Sequence, residues 1–229
     1  MKLFYTPIHL FAHKTLITAH EAGVWDRIEP VAVYPFRAGY DITALNPLNK
    51  VPTLTLDDGR ALYGSQAIVE YLDSLARGGR SLYPALGPAR WDALRRLALA
   101  DIMFEATTQL TTDDDYSEAP RPKFINWLWP KVKRCVATMN ADTATEHTFD
   151  IGDAATIHAL TYLDVCVPKY VPEPVPRDYN WRVGNADLEA WFDEAVQRPS
   201  VQFHFQQEYD GDDSAENCAA KVQEVLALR

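Results

Sequence analysis

Residues 77–88, RGGRSLYPALGP, separate two stretches of chain whose apolar residues recur with different periods. Upstream, short β-branched runs alternate with helical spacing; downstream, every apolar series steps by three and four. A chain that changes period in this way must divide its core, because strands and helices bury their apolar faces in different geometries. The Gly- and Pro-dense segment is therefore read as a boundary, with an α/β half at 1–78 and an all-helical half at 88–229.

The first half follows a definite order. KLFY (2–5) is a strand closed by Thr6-Pro7, and Leu10, Leu16, Ile17 and Ala19 predict a helix stopping at Gly23. IEPVAV (28–33) is a second strand, so strand–helix–strand implies a parallel pair with a right-handed crossover. VPTLTLDDGRALYG supplies two further strands as a hairpin around Asp58-Gly59. Ser65 to Ala76 then carries Ala67, Ile68, Tyr71, Leu72 and Leu75 at helical spacing.

Beyond the boundary, Leu94, Leu97, Ala98 and Phe104 form one stripe. Ile125, Leu128, Val132, Cys135 and Met139 form a second, with Pro130 expected to kink it, and Leu188, Trp191, Phe192 and Ala195 a third. In FDIGDAATIHALTYLD (149–164), Asp150 can cap a helix with Asp153 as the reciprocal partner. That helix is apolar nearly all round, which predicts the buried centre of the helical half.

Composition removes several functions. The charge is 22 basic against 32 acidic residues, a net −10, which argues against nucleic-acid or anionic-membrane partners because both need a positive field. No apolar run approaches the roughly 20 residues of a membrane span. The start, MKLFYTPIHLFAHK, lacks a signal region. Cys135, Cys166 and Cys218 are widely spaced and odd in number, which disfavours disulfide, zinc and dithiol chemistry. A reducing, cytoplasmic setting is the expectation.

Taken in order, KLFYTP, AHEAGVWDRIEPV, NPLNKVPTLTLDDG, SQAIVEYLD, LALADIMFEAT, the capping stretch and ADLEAWFDEAVQRPSV resemble the bacterial cytosolic glutathione S-transferases. The resemblance spans nearly the whole chain. It implies an α/β thioredoxin-like N-terminal domain, an all-α C-terminal helical domain and a homodimer. It also implies glutathione as co-substrate, with a small hydrophobic electrophile as second substrate. By the same resemblance the Val51–Pro52 bond is cis, so that Val51 pairs by its main chain with the tripeptide, and Lys50 meets the glycine carboxylate. Ser65, with Gln66 beside it, holds the γ-glutamyl carboxylate at a helix N-terminus, a job compatible with ordinary capping.

Two departures stand out. Gly64 occupies the place of the usual acidic residue for the ligand's amine, leaving Asp101 as a candidate for that role or for a dimer-interface hydrogen bond. The usual thiol-activating hydroxyl or sulfur position falls on His9, so the donors rank His9, then Thr6, then Tyr5. The electrophile's pocket is expected between Ile8–Phe11 and helices bearing Phe104, Thr108, Trp127 or Trp129. The competing reading is a carrier of the same fold that binds glutathione or hydrophobic ligands with little turnover.

Overall fold

The structure is a computed structural model, and it describes residues 1–7, 12–76, 80–111, 122–206 and 210–229. The chain forms two compact units: Met1–Tyr83 together with Pro199–Arg229, and Pro84–Arg198.

The first unit is built on four strands, β1 (Lys2–Tyr5), β2 (Glu29–Ala32), β3 (Thr53–Thr55) and β4 (Ala61–Tyr63), in the order β2-β1-β3-β4. β1 and β2 are parallel; β1–β3 and β3–β4 are antiparallel. Pro30, which cannot donate to a ladder, lies on the edge strand β2, where that defect is tolerated. Leu3 and Phe4 are both fully buried although successive strand residues point to opposite faces, so both faces of the sheet are covered. Leu3 and Leu54 pack under α1 (His13–Glu21) and α2 (Ser65–Ser74) with Leu16, Ile68 and Leu72.

The opposite face carries Phe4, Val31 and Val33, with Ile42 and Leu45. Its cover comes from the far end of the sequence. After α3 (Pro88–Thr111), α4 (Pro122–Asp142), α5 (Ile151–Tyr170), α6 (Ala186–Ala195) and α7 (Pro199–Gln206), helix α8 (Ala215–Leu226) buries Cys218, Val222 and Val225 in this cluster. The sequence pattern placed all residues after 88 in the helical half. The structure instead counts 199–229 with the sheet, because the sheet's second face needs an apolar partner and α8 supplies it.

In the second unit α5 is the centre, buried continuously from Ile151 to Leu160. Its start is the expected capping box: Gly152 N–H donates to Asp150 Oδ1 at 2.8 Å, and Asp150 N–H donates to Asp153 Oδ2 at 2.8 Å. α3 lies close along it, and a Cβ on Gly152 would stand 2.7 Å from Arg96 Cβ and 2.9 Å from the Ala93 carbonyl. That approach corrects the α3 stripe. The buried seam is Ala93, Arg96, Leu97, Ala100, Met103, Thr107 and Leu110, whereas Leu94, Ala98 and Phe104 are only half-buried. Small alanines admit α5, and Arg96 is drawn inward by its ion pair with Asp150. α4 continues as one helix through Pro130, with Ile125, Leu128, Trp129, Val132, Val136 and Met139 buried.

His147 secures the same cap. Its Nε2 lies 2.9 Å from Asp153 Oδ1 and its Nδ1 lies 2.8 Å from the Thr145 carbonyl. A carbonyl and a carboxylate both accept, so the two contacts together favour the protonated ring, in which both nitrogens donate. The Asp153 hydrogen bond, working against partial burial, raises its pKa above 6.5. A cation favoured in the folded state stabilises fully below the unfolded pKa, and that contribution fades as pH rises through the raised value. His147→Ala is thus expected to lower stability by on the order of 1 kcal/mol at pH 5.5, a modest figure for a charge-assisted bond on a partly solvated ring. The deficit should shrink under alkaline conditions. Urea melts of both proteins between pH 5.5 and 9 check this, and a pH-independent difference would refute it.

Candidate functional site

Strand register brings three short segments of the first unit together. Phe4 pairs with Thr53, and Thr53 pairs with Tyr63. The next residues along each chain, Tyr5–Thr6, Val51–Pro52 and Gly64–Ser65, therefore meet at one end of the sheet.

The Val51–Pro52 bond is cis, as the resemblance implied. Val51 is half-buried against the α8-side cluster. Among the described residues its N–H and C=O make no hydrogen bond, since the ladder begins only at Thr53. Lys50 is exposed, and its ammonium enters no ion pair among the described residues.

At Ser65 the structure corrects one expectation. Gly64, not Ser65, is the N-cap of α2, and no side chain caps this helix. Gly64 has φ +84°, a left-handed conformation that strains any residue with a Cβ, although no heavy atom lies within 4 Å of where that Cβ would be. A side chain at this position would have room but would have to bear the strain of that backbone. Ser65 occupies the first helical position, half-buried, with no partner for its hydroxyl among the described residues. The first intrahelical bond runs from Ile68 N–H to Gly64 O at 3.2 Å, so amides ahead of Ile68 have no acceptor within the helix. Gln66, next in line, is exposed. A helix N-terminus, with first-turn amides that lack intrahelical acceptors and a positive dipole end, suits a carboxylate.

The candidate sulfur donors fare differently. His9 lies outside the described residues, as do Ile8, Leu10 and Phe11. Thr6 is buried, and its hydroxyl donates to Val33 O at 2.6 Å, which commits its only proton. Tyr5 is half-buried, packed against the Leu3–Leu54 core. Asp101 belongs to the second unit, half-buried on α3 beside the exposed Ile102 and off the buried seam. Of the aromatic residues expected around an electrophile, Phe104 lies tilted against His158 (centroids 4.4 Å) and edge-on to Tyr162 (4.6 Å), and Trp129 packs edge-on to Tyr179 at 4.6 Å. Trp127 is 58% exposed beneath the Lys131 ammonium. Two polar residues escaped the sequence reading: Asn46 and Thr53, both buried behind Lys50. Their only signal was an asparagine at the head of a loop that returns to the sheet.

A four-stranded mixed sheet clothed by helices, with a cis-proline corner and an open helix N-terminus at one end, followed by an all-helical region, defines a thioredoxin-like protein with a helical extension. Comparison with known proteins agrees. Residues 10–75 match the family model described as glutathione S-transferase, N-terminal domain. The structure of a glutathione transferase family member from Pseudomonas fluorescens Pf-5 with bound glutathione is 30% identical, covering 89% of this chain and 97% of that one, with a TM-score of 0.76. A glutathione S-transferase from Methylobacillus flagellatus KT, also with glutathione bound, is 25% identical over 89% of this chain and 98% of that one, with a TM-score of 0.78. A search of curated proteins returned no match. The chain belongs to the glutathione S-transferase family. Among the described residues, no helix is long and apolar enough to cross a membrane.

Proposed function

We propose that the protein is a glutathione-dependent transferase that binds the tripeptide at the Val51–Ser65 end of the sheet. The observation that carries this reading is the convergence of an unpaired Val51 main chain with the N-terminus of α2 at Ser65. In this reading Val51 pairs with the cysteinyl main chain, Ser65 and the α2 amides (Gln66 included) hold the γ-glutamyl carboxylate, and Lys50 meets the glycine carboxylate. Asp101 is the candidate for the ligand amine. A free thiol with pKa about 8.5 is only a few per cent ionised near neutrality, so the site must favour the thiolate. His9 is the residue proposed to donate to that sulfur, since the Thr6 proton is already committed to Val33. The thiolate lone pair then forms a carbon–sulfur bond on a hydrophobic electrophile, whose leaving group departs with the electron pair of the broken bond. Homodimeric assembly and a cytoplasmic setting belong to the same reading.

Two observations favour the carrier alternative: Gly64 offers no charge to the ligand's amine, and Thr6 offers no free hydroxyl. Calorimetric titration with glutathione and turnover on a panel of aryl halides and enones separate the two. Removing a hydrogen bond to a charged group costs about 1.5–3 kcal/mol, so Ser65→Ala should weaken glutathione binding about tenfold or more. Wild-type affinity in Ser65→Ala would discard this site. Binding by the native protein without turnover on any electrophile would favour the carrier.

A further inference from the structure

Behind the proposed ligand groups lies a buried polar knot built on Asn46 and Thr53, to which the reading above gives no role. Asn46 is 2% exposed, and its polar atoms are all engaged. Its N–H donates to Ile42 O at 2.8 Å, its C=O accepts from Asn49 N–H at 2.9 Å, and its Oδ1 accepts from Leu48 N–H at 3.1 Å. The two Nδ2 protons go to Lys50 O at 2.9 Å and to Thr53 Oγ1 at 3.0 Å. Thr53, itself fully buried, passes its own hydroxyl proton to Lys50 O at 2.8 Å. The Lys50 carbonyl therefore accepts two bonds, both from groups inside the fold.

The consequence follows from the peptide unit itself. Lys50 C=O and Val51 N–H share one planar, trans peptide, so the two bonds point in opposite directions. A carbonyl pulled inward by Asn46 and Thr53 turns the Val51 N–H outward. That amide is the one left without a partner at the end of the sheet. Asn49 steadies the loop from its outer side: it holds φ +49°, which asparagine tolerates, and its Oδ1 accepts from Ile42 N–H at 3.0 Å.

We propose that Asn46, acting with Thr53, is the positioning residue of the ligand site: by fixing the Lys50 carbonyl it aims the Val51 amide and the root of the Lys50 side chain at the bound tripeptide. The proposal rests on the glutathione reading for the identity of the ligand. It assigns Asn46 no contact with that ligand.

Asn46→Asp keeps the shape and the Oδ1 acceptor but replaces both donors by a second acceptor. The Thr53 hydroxyl then turns to the carboxylate, and the Lys50 carbonyl is released. Thr53→Val removes the bridging hydroxyl at equal volume, and Thr53→Ser restores it. Calorimetric titration of the full-length proteins with glutathione, at a temperature where melting curves show each folded, is the test. The expected result is a Kd raised about tenfold in Asn46→Asp and about three- to tenfold in Thr53→Val, with Thr53→Ser within about twofold of wild type. A merely structural role would lower the melting temperatures and leave these constants together. Should Asn46→Asp not fold, the Thr53 pair decides alone. Wild-type binding with an unchanged Kd in Thr53→Val overturns the positioning role and leaves the ligand reading intact. Failure of the wild-type protein to bind glutathione overturns the ligand reading and this role with it.

Discussion

Asp150→Ala is expected to lower stability by about 3–5 kcal/mol, because it leaves Arg96 buried without its counter-charge. The Asp150 side chain holds three things at once: the Gly152 amide at the start of α5, the Arg96 guanidinium from α3, and its half of the reciprocal cap with Asp153. Alanine loses the cap, worth about 1 kcal/mol alone, and strands a cation against the Gly152 approach of two helices. For a chain of this length each kcal/mol moves Tm by roughly 2–4 °C, so a fall of roughly 6–20 °C should appear by calorimetry. Asp150→Asn keeps an acceptor for the cap but not the charge, and should fall between wild type and Asp150→Ala. Burial and the neighbouring Asp153 hold the Asp150 carboxyl above the usual range despite Arg96. A pair so desolvated adds little net stability while being destructive to break. A double cycle with Arg96→Met should therefore show the two losses to be far from additive. Additive losses, or a loss below 1 kcal/mol in Asp150→Ala, would show that the pair is not buried as described.

How much of this was legible in the sequence depended on whether the cause was local. The capping box could be read because Asp150 and Asp153 bond across one helical turn, and β1 because Thr6-Pro7 closes the apolar run KLFY. The hairpin could be read from its Asp58-Gly59 turn, but only the family resemblance singles out Val51 and Ser65. The α3 seam could not. Arg96 looks like a surface residue until Asp150, far along the chain, is placed opposite it. Nor could Asn46 be singled out, since its partners Lys50 and Thr53 matter only once Lys50 O is known to turn inward. The role of α8 was hidden for the same reason: its Cys218, Val222, Val225 stripe announces an amphipathic helix but names no surface to receive it.

That receiving surface carries the other large expected effect. Deleting residues 214–229 should expose Phe4, Val31 and Val33, three residues at or below 1% exposure, and unfold the sheet-bearing unit under mild conditions. Burying an aliphatic side chain contributes about 1.5–3 kcal/mol, so the loss of Val222 and Val225, and of the matching surface beneath them, removes a large share of the ~5–15 kcal/mol that holds a domain folded. The polar seam around α8 matters less. Lys221–Glu29 at 2.9 Å and Lys2–Glu224 at 2.8 Å are solvent-screened surface pairs that add little net stability. The Arg229 bond to Gly59 O at 2.9 Å ties only the hairpin tip. Two point variants separate these contributions. Val222→Asp places a carboxylate in the apolar cluster and should mimic the truncation, with rapid amide exchange at Phe4 and Val31 and binding of a hydrophobic dye. Glu224→Ala should leave both nearly unchanged. If the truncated protein kept the protection of its β1 and β2 amides, the assignment of Phe4, Val31 and Val33 to a core that depends on α8 would be wrong.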